Sequence, residues 1–221
     1  MIDCSIIVAS YGATVWETLA LTRAVPSTEG QGAREVLVRH DRGGNIATVR
    51  NELAAEATSD WLCFVDADDE LAPGYLEAMT TVAKPNALLT PRVSYVSRRG
   101  TAPPRFHAEI DMRVANWIVI GTLVPRSLFR HVGGFADRPD FGAFEDWELW
   151  IRCLKAGATI IRVPDAVYVA HVERASRHRS ASPRKQREWH LAIGREHYPD
   201  LYGPDWPGQH RPRLPRRMRT A

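Results

Sequence analysis

The sequence predicts an α/β domain: a central, mostly parallel sheet flanked by helices, occupying residues 1–200, with a basic, proline-rich tail over 201–221. Two observations carry this. Three short apolar runs, Cys4 to Ala9, Arg34 to Arg39 and Trp61 to Val65, each end in a polar or glycine-bearing loop, and helical patterns separate them. Strand, helix, strand, helix, strand with short connections requires right-handed crossovers, which set Tyr11, Asp41 and Asp66 at one sheet edge. In open α/β sheets that edge is where ligands bind.

Taken in order, Cys4 to Ala9 is a buried strand closed by Ser10-Tyr11-Gly12. Thr14 can cap the helix that carries Trp16, Leu19, Ala20 and Arg23, and Pro26, Gly30 and Gly32 mark an exposed connection. Arg34 to Arg39 is the second strand, with His40-Asp41-Arg42-Gly43-Gly44 as its loop. Asn45 reads as an N-cap for a helix presenting Ile46, Val49, Leu53 and Ala57 on one face. Trp61 to Val65 is the third strand. Beyond it the expectations are a helix over 73–82, short strands over 87–90 and 93–97, a loop through Pro104, and a strand from Ile118 to Val124 broken at Gly121, where a ligand or backbone comes close. A short helix follows over 126–131. Trp147, Trp150, Ile151 and Leu154 at i, i+3, i+4, i+7 then make an amphipathic helix with acids in its first turn, ending at Gly157. Ala158 to Val163 and Ala166 to His171 are the last strands, and Ser182 to His197 is a polar helix.

Composition narrows the class. A chain of 221 residues with 44% apolar content builds a substantial core. No stretch is long and apolar enough to span a bilayer, and Met1-Ile2-Asp3-Cys4 lacks the basic region of a leader, so the cytoplasm is the expected compartment. Cys4, Cys63 and Cys153 lie apart in apolar runs and read as buried thiols. The net charge of +3 is modest, but Arg211, Arg213, Arg216, Arg217 and Arg219 crowd the tail. This permits a weak, peripheral membrane-surface contact; a solvated end is the simpler reading, and no specific nucleic-acid partner is expected.

The third strand stops in Asp66-Ala67-Asp68-Asp69-Glu70. Three carboxylates within four residues repel one another, and hard oxygen donors of this kind suit Mg²⁺ or Mn²⁺ with phosphate oxygens completing the shell. At this point the alternative stands equally: the aspartates form a turn and cap the following helix.

The order of three elements resembles the family 2 inverting glycosyltransferases. Tyr11 follows the first strand, Arg50-Asn51 precedes Phe64-Val65-Asp66-Ala67-Asp68-Asp69, and Gly133-Gly134-Phe135 precedes Glu145-Asp146-Trp147-Glu148. The resemblance implies a GT-A (Rossmann-like) fold over roughly residues 4 to 177, a nucleotide-diphosphate sugar donor of UDP or GDP type, an acceptor hydroxyl on sugar, lipid or protein, and Mn²⁺ or Mg²⁺. It implies Asp68 as metal ligand, Asp66 at the ribose or the metal's water shell, His171 as a further metal or phosphate contact, and Asp146 as the base with Glu145 orienting the acceptor. Asp69 is left as a cap for the following helix. Ala9, Ser10, Tyr11, Asp41, Arg50 and Ala67 would line the nucleotide-sugar site. Gly134 and Trp147 fall on the acceptor side, although the helical spacing of Trp147 equally suits the core. Arg174 and Arg177 would steady the diphosphate. The chain departs from the family after the second strand, where the usual Asp-Gly-Ser is missing. Two other functions compete: a non-catalytic carbohydrate-binding or scaffold protein on the same fold, and a nucleotidyltransferase, which would need a lysine-bearing, glycine-rich loop that Ser10-Tyr11-Gly12-Ala13-Thr14 does not supply.

Overall fold

The computed structural model describes residues 3–172 and 181–203. The expected tail lies outside the described residues from 204 onward, as do Arg174 and Arg177. Among the described residues the strands form one eight-stranded sheet. Strand β1 (Cys4–Tyr11) pairs in parallel with β2 (Glu35–Asp41) on one side and with β3 (Trp61–Asp66) on the other. The helices between them are α1 (Thr14–Leu19), which continues through a π-helical stretch (Ala20–Ala24) into α2 (Val25–Ser27), and α3 (Ile46–Glu56).

Further along come β4 (Glu70–Leu71), α4 (Tyr75–Thr80), β5 (Ala87–Ser97), β6 (Gly100–Thr101), β7 (Leu123–Pro125), α5 (Arg126–His131), α6 (Glu145–Lys155), β8 (Thr159–His171) and α7 (Pro183–His197). The spatial order is β2-β1-β3-β7-β5-β8-β4, with β6 hairpinned onto β5. Because β7 is antiparallel to both β3 and β5, the long strands β2, β1, β3, β5 and β8 all run the same way, while the short β4, β6 and β7 oppose them. The sheet is therefore mixed by pairing yet mostly parallel in direction, and its carboxyl edge gathers the ends of β1 and β3.

Asn45 caps α3 as the sequence implies, its side chain accepting from the Thr48 amide. Thr14 does not cap α1; it is the first helical residue, preceded by Ala13 with no side-chain cap. Prolines misled the reading of two strands. Pro91 and Pro164 interrupt the apolar pattern, but β5 and β8 run on past them, absorbing the interruption as a register shift between Pro91 and Arg92. The opposite error occurred at 118–124. Ile118 and Ile120 are buried, yet the segment turns, with the Thr122 amide donating to Val119, and only Leu123–Pro125 is strand. A short apolar run fits a buried loop as well as a strand. What comes close to Gly121 is the ring of Tyr168, which occupies the space a Cβ would fill, while the Tyr75 hydroxyl donates to the Gly121 carbonyl at 2.6 Å.

Candidate active site

At the carboxyl ends of β1 and β3, facing the first turn of α6, lies a cleft of about 450 Å³. It is lined by Ala9, Ser10 and Tyr11 from β1, Arg50 from α3, Asp66 to Asp69 after β3, Glu145 and Asp146 from α6, and His171 from β8. Two acidic motifs eighty residues apart in sequence thus share one cavity.

The first motif is held tightly. The Asp66 amide donates to the Tyr168 hydroxyl at 3.2 Å, the Asp69 amide closes a turn on the Asp66 carbonyl, and the Arg23 guanidinium donates to the Asp68 carbonyl at 2.8 Å. Asp69 does not cap α4, which Gly74 precedes without a side-chain cap. It is buried and accepts the His171 amide at 2.7 Å. Burial first, and then the charges of Asp66 and Asp68, push its carboxyl well above the usual range. One carboxylate oxygen from each of Asp66, Asp68 and Asp69 lies within 4.8 Å of the others. Hard donors at that separation, with one carboxyl driven toward its neutral form by burial and then by neighbouring negative charge, fit a divalent cation. His171 lies outside this cluster; its Nε2 is 2.7 Å from Glu70 Oε1.

Arg50 joins the two motifs. Its guanidinium, 5% exposed, pairs with Asp66 on one side and with Glu145 at 2.9 Å on the other, and lies 5.0 Å from the Phe135 ring centroid. Burial opposes its charge, but Asp66, Glu145 and Asp146 outweigh burial and raise its pKa. The sequence reading aimed this arginine at base or phosphates, with an exposed helix charge as the alternative. In the structure it is a buried clasp between acids.

Asp146 opens α6. Its Oδ1 accepts the Trp147 amide at 2.7 Å and its Oδ2 accepts Asn116 Nδ2 at 3.0 Å, while Asn116 Oδ1 takes the Ile118 amide and so fixes which end of the amide faces Asp146. Burial, followed by the charge of Glu145, raises the Asp146 carboxyl to about 7, despite the lowering effects of the Trp147 amide and Arg50. A carboxylate near neutrality, adjacent to a metal-competent acid cluster, can accept a proton.

Three expected site residues are elsewhere. Asp41 turns onto its own loop, accepting the Gly43 amide at 2.9 Å, and does not line the cleft. Trp147 is 1% exposed and donates its Nε1 to the Met112 carbonyl, so its ring presents no face to a sugar. Gly134 has φ +72°, and a Cβ there would meet Asn51 Oδ1 at 2.6 Å. The Asn51 amide grips both backbone groups of Phe135 at 2.8 Å, so the Gly134-Phe135 turn supports the ring beneath Arg50, and Gly134 is not among the residues lining the cleft. The sequence reading missed Asn116, which sits in a stretch without periodicity and left no signal. It also missed Trp16 as a lining residue, although an aromatic in the first turn after a strand end was a usable clue.

Residues 6–135 match the family described as Glycosyl transferase family 2. The chain belongs to glycosyl transferase family 2. The family match ends ten residues short of Glu145. The fold is similar to that of S. aureus TarS: TM-score 0.59 at 16% identity, covering 78% of this chain and 37% of that one. S. aureus TarS 1-349 in complex with UDP gives TM-score 0.63 at 16% identity, covering 89% of this chain and 65% of that one. The complex of TarS 1-349 with UDP-GlcNAc gives 0.59 at 18% identity, with 87% and 65% covered. Likeness at these identities establishes the GT-A fold alone, and the chain spans little more than a third of the longer TarS. Among curated protein sequences none matches. Among the described residues no helix is long and apolar enough to cross a membrane.

Proposed function

We propose that this glycosyl transferase family 2 chain moves a sugar from a nucleotide-diphosphate donor to an acceptor hydroxyl, with divalent-metal dependence and inversion in a single in-line displacement. The observation that carries this is the shared cleft, with Asp66 and Asp68 on one wall and Asp146 on the other. Solved complexes of the structurally similar TarS with UDP and UDP-GlcNAc support a uridine donor in this reading. Asp68 and Asp66 would hold the cation, with Asp69 behind them, and the bound Mn²⁺ or Mg²⁺ supplies charge neutralisation for the departing diphosphate.

The remaining chemistry belongs to the chain. Ala9, Ser10, Tyr11 and Ala67 form the wall against which the nucleotide lies. Asp146 takes the proton of the acceptor hydroxyl as its oxygen bonds to the anomeric carbon, while the bond from that carbon to the phosphate oxygen breaks and the nucleoside diphosphate leaves with that electron pair. Glu145, held by Arg50, fixes the helix end that aims Asp146.

The test is incubation with Mn²⁺ and a panel of nucleotide sugars, reading nucleoside diphosphate release with and without simple hydroxyl acceptors. Slow donor hydrolysis that Asp146→Asn abolishes without weakening donor binding supports the reading. Equal release by the variant refutes the base assignment, and absence of both binding and release for every donor refutes the transferase.

A further inference from the structure

Among the described residues the exposed large apolar side chains are Val15, Leu21, Val36 and Val38, and two of these four stand on β2. Among the described residues that strand is the last in the sheet, paired with β1 alone. Edge strands of soluble proteins are usually blunted by proline, lysine or a bulge, because an open row of amides and carbonyls invites another strand. Glu35-Val36-Leu37-Val38-Arg39 contains no proline, lysine or glycine.

The direction of its free groups follows from the ladder. The Gly12 amide donates to the Asp41 carbonyl at the far end of an unshifted register, so by alternation the backbone groups of Glu35, Leu37 and Arg39 bond to β1 and those of Val36 and Val38 point outward. The side chains alternate too. Arg39 pairs with Glu52 and Glu56 of α3, which puts Glu35, Leu37 and Arg39 on the α3 face and leaves Val36, 38% exposed, and Val38, 41% exposed, on the other.

We propose that β2 is a self-complementary edge through which a second copy of this chain pairs antiparallel, about a two-fold axis at Leu37. Only that centre makes the sequence match itself. Leu37 faces Leu37 in a non-hydrogen-bonded pair, Glu35 faces Arg39 on both sides of the axis, and Val36 and Val38 face each other as the hydrogen-bonded pairs. Centres at Glu35 or Arg39 would set like charges face to face, which is destabilising. Glu35 accepts Ser5 and Thr58 through Oε1, and these in-chain bonds do not use Oε2. The two-fold pairing is isologous and closed, so it yields a dimer and not a fibre. A ladder this short buries less than a standard interface, and the association belongs to the weak, concentration-dependent class.

Sedimentation equilibrium over the micromolar range tests this with Arg39→Glu and Glu35→Arg. The wild-type mass should climb from 24.8 kDa toward twice that value with concentration, and each variant alone should stay at 24.8 kDa. An equimolar mixture of the two should regain the dimer, since the paired acids of the Arg39→Glu strand then face the paired arginines of the Glu35→Arg strand. A wild-type chain that stays monomeric, variants that associate as well as wild type, or a mixture that stays monomeric overturns the pairing. If Glu35→Arg does not fold, Val36→Cys mixed with Val38→Cys decides the matter under mild oxidation. These positions form a hydrogen-bonded pair with Cα atoms about 5.5 Å apart, within disulfide reach, and the native cysteines are buried. Cross-linking of the mixture and of neither variant alone supports the register; no cross-link, or equal cross-linking of one variant alone, refutes it.

Discussion

The pH dependence of transfer tests the base assignment most directly. Asp146 is buried beside Glu145, which lifts its carboxyl to about 7. With that value about nine in ten molecules carry the carboxylate at pH 8 and about one in ten at pH 6, so transfer should fall roughly tenfold between them. An aspartate at its ordinary value of 3.8 would give no change over that range. The same displacement affects stability with a definite sign. The folded value lies above the unfolded one, so the native state binds this proton more tightly. The resulting stabilisation is complete below about pH 4 and is lost as pH rises to about 7. The gap from 3.8 to about 7 is worth up to about 4 kcal/mol at 1.36 kcal/mol per pH unit. Asp146→Asn cannot titrate, so its thermal midpoint relative to wild type should rise as pH goes from 4 to 8, while transfer disappears. Initial rates from pH 5 to 9 under saturating donor, with thermal scans of both proteins, supply the data. A rate that is flat between pH 6 and 8, or a midpoint difference that does not move with pH, refutes the reasoning.

Arg50→Gln leaves Glu145 and Asp66 without their shared cation. Because the guanidinium is buried, denaturant unfolding should register a loss of about 3 to 5 kcal/mol, and a loss below 1 kcal/mol would contradict the clasp. Asp68→Ala should remove the Mn²⁺-dependent part of the thermal shift produced by uridine diphosphate while leaving the ligand-free midpoint close to wild type; an undiminished shift would exclude this carboxylate from the cation. Gly121→Ala drives a methyl group into the Tyr168 ring, whose hydroxyl accepts the Asp66 amide. Unfolding should report a cost of about 1 to 3 kcal/mol together with weaker donor binding. Glu148 is opposed by burial but held below its usual range by His197 and Arg152, so its contribution is present above about pH 4.5 and lost as pH falls further. His197→Ala should therefore flatten the acid limb of the stability curve, which acid titration followed by tryptophan fluorescence reads out.

How much of this was legible in the sequence depends on whether the information was local. The Asn45 cap, the acids opening α6 and the three parallel strands are local patterns with a fixed period, and the crossover rule turns them into a sheet edge without further help. That rule brought Tyr11 and Asp66 to one place, and the family order added Asp146. Prolines at 91 and 164 looked like strand ends because a register shift that accommodates them is invisible until the neighbouring strand is known. Trp147 and Gly134 sit within the motif that named the acceptor side, yet they face the Met112 carbonyl and the Asn51 amide, neither of which spacing can reveal. Asn116 is the sharpest case. It comes from a loop that no periodicity describes, and its importance exists only because folding sets it against Asp146.

The clasp also accounts for why the motifs occur as an ordered set. Arg50 and Asn51 are adjacent on α3, and from adjacent positions they serve opposite ends of the site. Arg50 reaches Asp66 and Glu145, while Asn51 holds the backbone of Phe135, the ring under Arg50. Moving either residue by one position along the helix would rotate it about 100° away from its partner, since an α-helix has 3.6 residues per turn. Asp66, Glu145 and the Gly134-Phe135 turn are therefore registered against one helical step. A loss at any of the three should be felt at the other two, and a double-mutant cycle between Asn51→Ala and Glu145→Gln is the place to measure it. A coupling of about 1 kcal/mol is expected for residues that share Arg50 as a common neighbour, and strict additivity would show that the turn and the acids are maintained independently.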